Sequence, residues 1–295
     1  MKKILITGGS GFIGRNIKES FLNSKYTIVA PPHDIFDLTD ENQVGYFLKN
    51  ENVDVIIHSA GKPGHRNAPD PSNICFENSK MFFNLIKYRD LFGKLIIIGS
   101  GGIYNLKAYR PKMKEEFFGR SIPEDEHGFF RYICGKYIEG CLDDVYDLRV
   151  FGIYGRYEDY AIRFISNMIC KAIFDLPLTM HQDRNFDYLF IEDLMPVLDF
   201  FIVHEPEYKS YNITPDKSVS LREITGIVLK TACKDLPVIA ERAGKGPEYS
   251  GDNSRLKREY KDVSFTPLDE GIARLYQWYS DHKKTIKKEL LLVDK

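Results

Sequence analysis

KILITGGSGFIG, residues 3–14, joins a short apolar run directly to a glycine-rich turn. In such a turn Gly8 permits a sharp bend, Gly11 lets the backbone approach a pyrophosphate, and Gly14 lets the next helix pack on the strand. The free N–H groups at that helix start favour negative charge. The stretch predicts a dinucleotide site, with an ordinary tight turn as the alternative. The residues assigned to the cofactor here are Gly8, Gly11, Phe12, Ile13 and Gly14.

The composition excludes several classes of protein. The chain has 295 residues, 43% of them hydrophobic, and a net charge of −1, so it has no basic field for a nucleic-acid partner. Five cysteines without a CxxC pair indicate neither a disulfide framework nor a zinc site, and no other metal-ligand constellation is present. With no signal peptide and no apolar run of about 20 residues, we expect a cytoplasmic protein without a membrane anchor.

Strand and helix patterns alternate through the first half of the chain. Continuous apolar runs such as VDVIIH and KLIIIG are typical of parallel strands covered on both faces. The succession predicts an α/β fold, a Rossmann-type doubly wound parallel sheet with a smaller C-terminal α/β lobe for substrate. We expect the dinucleotide-binding domain over residues 1–151 and the substrate lobe, interleaved with it, over residues 152–295. Predicted strands are 26–30, 53–58, 94–99 and 148–151, and predicted helices are 11–22, 41–49, 74–91 and 129–142.

Small or polar residues follow three strands, the N-terminal one before the glycine turn and those at 53–58 and 94–99, at the ends where open parallel sheets bind ligands. After the third such strand stands Ser100, and the next long helix carries Tyr132 and Lys136. A tyrosine and a lysine four positions apart share a helix face, and the cation favours the phenolate. Such a phenol can exchange a proton with a carbonyl or hydroxyl that Ser100 holds. The three residues are the predicted catalytic set, and a core tyrosine beside a surface lysine is the alternative.

These motifs together resemble the extended short-chain dehydrogenase/reductase family. TGGSGFIG, Ser100 and Tyr132-x-x-x-Lys136 carry the resemblance, and DPSNICFENSKMFFNLI and LRVFGIYG extend it. The nearest pattern is that of nucleotide-sugar ketoreductases and epimerases, such as the GDP-fucose synthase and dTDP-4-dehydrorhamnose reductase types. The resemblance implies an NAD(P)-dependent homodimer that acts on a nucleotide-linked sugar. It adds to the cofactor site His33, Asp37, Leu38, Ser59, Ala60, Gly61, Lys62, Asn78, Tyr132 and Lys136.

Departures from the family pattern reduce the number of reactions that fit this chain. Gly101 and Gly102 stand where sugar dehydratases carry an acidic pair, which argues against dehydration. A simple ketoreductase, or an epimerase that oxidises and re-reduces C4, remains. The arginines that usually grip a substrate diphosphate align with Phe186 and Glu248, so other cations must compensate or the substrate lacks a diphosphate. The substrate site is assigned to Lys62, His65, Arg66, Gly101, Gly102, Tyr104, Arg163, Arg184 and Arg242.

Two alternatives stay open. The second predicted strand ends without an acidic residue and is followed by His33, which favours NADP, although Asp34 keeps NAD possible. A non-catalytic cofactor-binding sensor or scaffold of the same fold is the alternative to an enzyme. The missing diphosphate arginines favour the sensor, and the Ser100, Tyr132 and Lys136 set favours the enzyme.

Overall fold

The computed structural model describes residues 1–64 and 70–293, apart from the side chain of Cys141. Its strands are β1 (Lys3–Thr7), β2 (Thr27–Val29), β3 (Val53–His58), β4 (Phe92–Ser100), β5 (Val145–Val150), β6 (Gly152–Tyr154), β7 (Leu178–Asp183), β8 (Asn185–Phe186), β9 (Tyr188–Phe190), β10 (Ser210–Ile213), β11 (Val219–Ser220) and β12 (Val238–Lys245). Its α-helices are α1 (Phe12–Lys18), α2 (Leu22–Lys25), α3 (Glu41–Asn50), α4 (Ile74–Lys87), α5 (Glu126–Cys141), α6 (Phe164–Ile173), α7 (Leu194–Val203), α8 (Leu221–Ala232), α9 (Ser254–Glu259) and α10 (Leu268–Asp281).

A parallel sheet of six strands, in the order β10-β5-β4-β3-β1-β2, forms the centre of the fold. Its apolar strand residues are buried in two core clusters, which contain different residues of the same strands. Strands covered on both faces need continuous apolar runs, which is what the sequence contains. The predicted doubly wound parallel sheet is therefore confirmed.

Capping side chains account for several helix starts. Asp40 accepts hydrogen bonds from two backbone N–H groups at the start of α3, and Asp125 accepts one at the start of α5. Because Asp125 satisfies the N–H of Gly128, α5 begins at Glu126, earlier than the predicted start at residue 129. The predicted helix 74–91 instead ends at Lys87, after which a short 3-10 turn leads into β4.

The second half of the chain forms smaller strand pairs, β6 with β9, β7 with β12 and β8 with β11. It also supplies β10, which pairs with β5 along Ser210–Ile213 and completes the main sheet. The division at residue 151 stays a prediction. Within residues 1–64 and 70–293, no helix combines the length and apolarity required to cross a bilayer.

Candidate functional site

A cleft of about 790 Å³ opens at the carboxyl ends of β3 and β4, and Phe12 and Ile13, at the start of α1, also line it. Chain order reverses between β1 and β3, because β2 lies on one side of β1 and β3 on the other. Ligands of open α/β sheets bind at such a switch point. The cleft lining includes these predicted site residues: Phe12, Ile13, Ser59, Ala60, Gly61, Lys62, Asn78, Ser100, Gly102 and Arg163.

The glycine turn is built so that side chains cannot replace its glycines without displacement. Gly8 has a φ of +72°, and a Cβ there would stand 2.7 Å from the backbone nitrogen of Ala60. A Cβ on Gly14 would meet the carbonyl oxygen of Gly8. Gly11 is the N-cap of α1 and has no side chain to cap the helix, so no side chain at this position accepts from the first N–H groups of α1. The geometry fits a bound pyrophosphate.

The loop after β3 forms the next part of the cleft wall and is held by Asn78 of α4. The Asn78 side chain accepts a hydrogen bond from the Lys62 backbone N–H at 2.8 Å and donates one to the Lys62 carbonyl at 3.2 Å. The Lys62 ammonium pairs with Asp70 at 2.7 Å. Asn78 therefore positions the predicted cofactor-binding loop.

His58, at the end of β3, is a buried structural histidine. Its Nδ1 lies 2.8 Å from the Thr7 hydroxyl, and burial lowers the pKa of His58 to about 4. Within the described part of the chain, no three His, Cys, Asp or Glu side chains cluster as metal ligands would.

Ser100 ends β4 inside the cleft. Its hydroxyl accepts a hydrogen bond at 3.1 Å from the backbone N–H of Gly102, which also lines the cleft. Gly101 is buried beneath Phe151 and Tyr249 and lies outside the lining. The structure thus brings Ser100 and Gly102, but not Gly101, to the predicted substrate position.

Tyr132 and Lys136 share one face of α5, but that face is turned away from the cleft lining. The Tyr132 ring packs on Phe118 with ring centroids 5.3 Å apart, and the Lys136 ammonium lies 4.7 Å from the centre of the Phe118 ring. Lys136 is exposed. Tyr132 and Lys136 were expected in the cleft. They lie outside its lining because α5 turns its neighbouring face to the cleft, the face that contains the residue before each of them.

That neighbouring face of α5 lines the cleft with Gly128, Arg131, Cys134 and Gly135. Arg131 is partly buried and donates a hydrogen bond of 2.9 Å to the carbonyl of His127. Within the described residues, no carboxylate lies at ion-pair distance from its guanidinium. The sequence pattern does not indicate that Arg131 faces the cleft, because α5 carries apolar residues on all sides and no single apolar face stands out.

Tyr249 is a second residue of the cleft that no sequence pattern indicates. It lines the cleft, and its phenol oxygen lies 2.6 Å from where a Cβ on Gly101 would stand. This places the Tyr249 hydroxyl beside the residue that directly follows Ser100. Ser100 and Tyr249 are 149 positions apart, and no local pattern predicts that they line the same cleft.

The residues after β2 lie outside the cleft lining. Exposed His33 has its Nδ1 3.7 Å from the Asp37 carboxylate, which also accepts hydrogen bonds from Thr39. Leu38, expected at the cofactor, is 5% exposed and packs into the core. Its apolar side chain is more favourably buried there than facing a ribose.

Several predicted substrate residues are not in the cleft either. Tyr104 is buried, and its hydroxyl donates to Asn212 and accepts from Arg149 in a closed polar network. Arg184 lies over the Phe186 ring, and Arg242 is exposed on β12. The predicted residues His65 and Arg66 lie outside the described residues.

The chain is similar to several enzymes named for nucleotide-linked sugars. A GDP-L-fucose synthase of Azorhizobium caulinodans is 34% identical over 107 residues, so the match spans about a third of either chain (35% of this one and 34% of that one). A GDP-L-fucose synthase of Sinorhizobium fredii is 25% identical over 301 residues, covering 94% of this chain and 95% of its own. The dTDP-4-dehydrorhamnose reductase of Bacillus anthracis, solved with NADP, superposes with a TM-score of 0.79 at 19% identity, covering 94% of this chain and 99% of that one.

The sequence model of the NAD dependent epimerase/dehydratase family matches residues 4–214, a span from β1 to the end of β10. This span includes the glycine turn and also Phe12, Ile13, Ser100 and the residues of α5 that line the cleft. The chain belongs to the NAD dependent epimerase/dehydratase family.

Proposed function

We propose that this protein is an NAD(P)-dependent oxidoreductase that acts on a nucleotide-linked sugar. It reduces a keto group, or epimerises C4 by oxidation followed by re-reduction. The observation that carries the proposal is a single cleft that runs from Phe12 at the glycine turn to Ser100 at the end of β4. The relatives named as GDP-L-fucose synthase and dTDP-4-dehydrorhamnose reductase support it.

The chain's own residues fit a dinucleotide. The glycine turn and the uncapped start of α1 would hold the pyrophosphate, and the Ser59 to Lys62 loop would flank the nicotinamide half. The reduced nicotinamide supplies a hydride when bound. NADP is our preferred cofactor, because His33 is exposed where a 2′-phosphate would lie, and the similar Bacillus anthracis enzyme was solved with NADP.

For the substrate diphosphate we propose Arg163, which lines the cleft at the start of α6. Arg131 adds a second positive charge to the same cavity. Guanidinium groups suit phosphate because they donate two parallel hydrogen bonds. These two residues would replace the arginines that the sequence lacks at Phe186 and Glu248.

A cofactor-binding sensor or scaffold is the second candidate function. The observation that favours it is the orientation of Tyr132 and Lys136, which contact Phe118 and not the cleft. A sensor would bind the dinucleotide without turning over a sugar. Calorimetry with NADPH and NADH tests binding. NADPH oxidation with GDP-, dTDP- and UDP-linked 4-keto sugars tests turnover, and binding without any turnover favours the sensor.

We also propose a cytoplasmic homodimer formed through α4 and α5. Large apolar side chains are exposed on these helices, including Phe76 at 65% and Phe129 at 41%. Phe83 and Tyr137 pack edge to face across the two helices, with ring centroids 5.3 Å apart. Light scattering of the wild type and of Phe83→Glu tests the dimer, and an identical monomeric mass for both would refute it. Cell fractionation tests the location.

A further inference from the structure

An aromatic wall lines the part of the cleft that the second half of the chain provides. Phe186, Tyr188 and Tyr249 all line the cleft, and the ring centroid of Phe186 lies 5.6 Å from that of Tyr188 and 5.8 Å from that of Tyr249. The phenol oxygen of Tyr249 lies 2.6 Å from where a Cβ on Gly101 would stand. The aromatic wall therefore begins beside the residue that follows Ser100 and continues through Phe186 to Tyr188.

The backbone holds Phe186 in place before any ligand binds. Phe186 pairs with Val219 of β11, and a second β-bridge joins it to Tyr249. The Tyr249 N–H donates a hydrogen bond of 2.9 Å to the Asn185 carbonyl. The Arg184 guanidinium lies 4.7 Å from the centre of the Phe186 ring, and Arg184 is not part of the cleft lining. A ring that is already fixed loses little conformational freedom when a ligand packs on it.

The charge beside Phe186 is unfavourable for a diphosphate. Glu248 precedes Tyr249 in the chain, and its carboxylate accepts hydrogen bonds at 2.6, 2.9 and 3.3 Å from the side chains of Ser250, Ser218 and Asn185. A phosphate placed here would be repelled by this negative charge. The two arginines proposed above for the diphosphate belong to other parts of the lining, α5 and the start of α6.

A sugar ring suits the aromatic wall better than a phosphate does. The C–H groups on one face of a sugar ring form no hydrogen bonds with water, so they cover an aromatic ring without leaving a polar group unpaired. A phosphate oxygen on the same ring would lose its hydrogen bonds with water. In the proposed function the reacting carbonyl is held at Ser100, so the sugar is the part of the substrate closest to the wall.

We propose that Phe186 is a substrate-binding residue whose ring stacks against the sugar of the substrate, with Tyr188 and Tyr249 as the flanking parts of the same subsite. This inference rests on the proposed function. It assigns selectivity for the sugar to the aromatic wall and affinity for the nucleotide diphosphate to the arginines. Sugars that turn C–H groups toward Phe186 are the preferred substrates, because a hydroxyl on that face would be buried without a partner.

The test separates the sugar from the nucleotide. Calorimetry of the full chain with NADP present measures the Kd of GDP, dTDP and UDP, and of GDP-mannose, dTDP-glucose and UDP-glucose, for the wild type and for Phe186→Leu. Leucine keeps an apolar side chain but has no aromatic face. We expect the Kd of the nucleotide sugars to rise about tenfold, and the Kd of the free nucleoside diphosphates to change by less than about twofold.

Three further variants complete the comparison, and thermal melts check that each is folded. Phe186→Tyr keeps the aromatic face and should restore the wild-type affinity for the nucleotide sugars. Phe21→Leu, on an exposed phenylalanine before α2, is the matched control and should change neither Kd. Phe186→Met also lacks the ring and replaces Phe186→Leu if that variant does not fold.

Two outcomes in Phe186→Leu would overturn the inference. One is an equal rise in Kd for the nucleotide sugars and for the free nucleoside diphosphates, which would place Phe186 at the nucleotide. The other is no change in either Kd, which would mean that the ring touches neither part. A wild type that binds none of these nucleotides and nucleotide sugars would instead refute the proposed function.

Discussion

Aspartate in place of Gly11 would put a carboxylate where a dinucleotide's pyrophosphate is expected. Gly11 is the N-cap of α1 in an extended conformation, with φ −78° and ψ 179°, and aspartate is among the best residues at such a position. A Cβ there stands 3.3 Å from the Gly8 carbonyl oxygen, so only a small displacement is needed. We therefore expect Gly11→Asp to fold with a free energy of unfolding within about 1 kcal/mol of the wild type.

The same substitution, Gly11→Asp, should weaken NADPH binding strongly. Two like charges about 4 Å apart near a protein surface repel by about 4 kcal/mol. This corresponds to an increase of about 1000-fold in the Kd for NADPH. Gly11→Asn is the matched control, because it has the same shape and capping ability without the charge.

Calorimetric titration of the wild type and both variants with NADPH measures the effect, and thermal melts check the fold. We expect Gly11→Asn to lose no more than about tenfold in affinity, since it adds only a steric change. Equal losses in the aspartate and asparagine variants would refute the reasoning, because the anion would then not lie at the start of α1.

Three further predictions concern groups outside the glycine turn. Arg149 donates a hydrogen bond of 2.8 Å to the buried Asp147 carboxylate. Arg149→Met leaves that carboxylate buried without its partner and should lower the free energy of unfolding, measured by urea titration, by about 3–5 kcal/mol. His58 has a folded pKa of about 4 against 6.5 unfolded, so its contribution of about 3 kcal/mol is complete above pH 6.5 and is lost as the pH falls toward 4. His58→Gln should flatten the wild-type dependence of unfolding free energy on pH in that window, and an unchanged slope would contradict the assignment. Asn78→Ala frees the Lys62 backbone and should raise the NADPH Kd roughly tenfold; an unchanged Kd would mean that this loop does not contact the cofactor.

The sheet and its ligand-binding edge could be predicted from the sequence because both depend on local pattern. The run VDVIIH predicted β3 at Val53–His58 with the observed bounds, and the glycine turn indicated the cleft. The rotation of α5 could not be predicted in this way. Its residues FFRYIC are apolar on several sides, so the pattern does not show whether Arg131 or Tyr132 faces the cleft.

Contacts between residues far apart in the sequence could not be predicted either. Tyr104 was expected at the substrate, yet its hydroxyl pairs with Asn212 of β10. Tyr249 belongs to no recognisable motif, yet its hydroxyl lies beside Gly101. In both cases the partner lies more than 100 positions away, where the spacing of residues in the sequence carries no information about proximity.

Because β10 follows its partner β5 at a distance in the sequence, it leaves the ribosome later than β5 during synthesis. Until Ser210–Ile213 has emerged, β5 has no neighbour on one side, although all six of its residues are buried in the finished fold. A strand edge left open in this way is a template for pairing with other nascent chains. Slow translation between β5 and β10 should therefore increase aggregation, and expression of fragments that stop before residue 210 should yield insoluble protein.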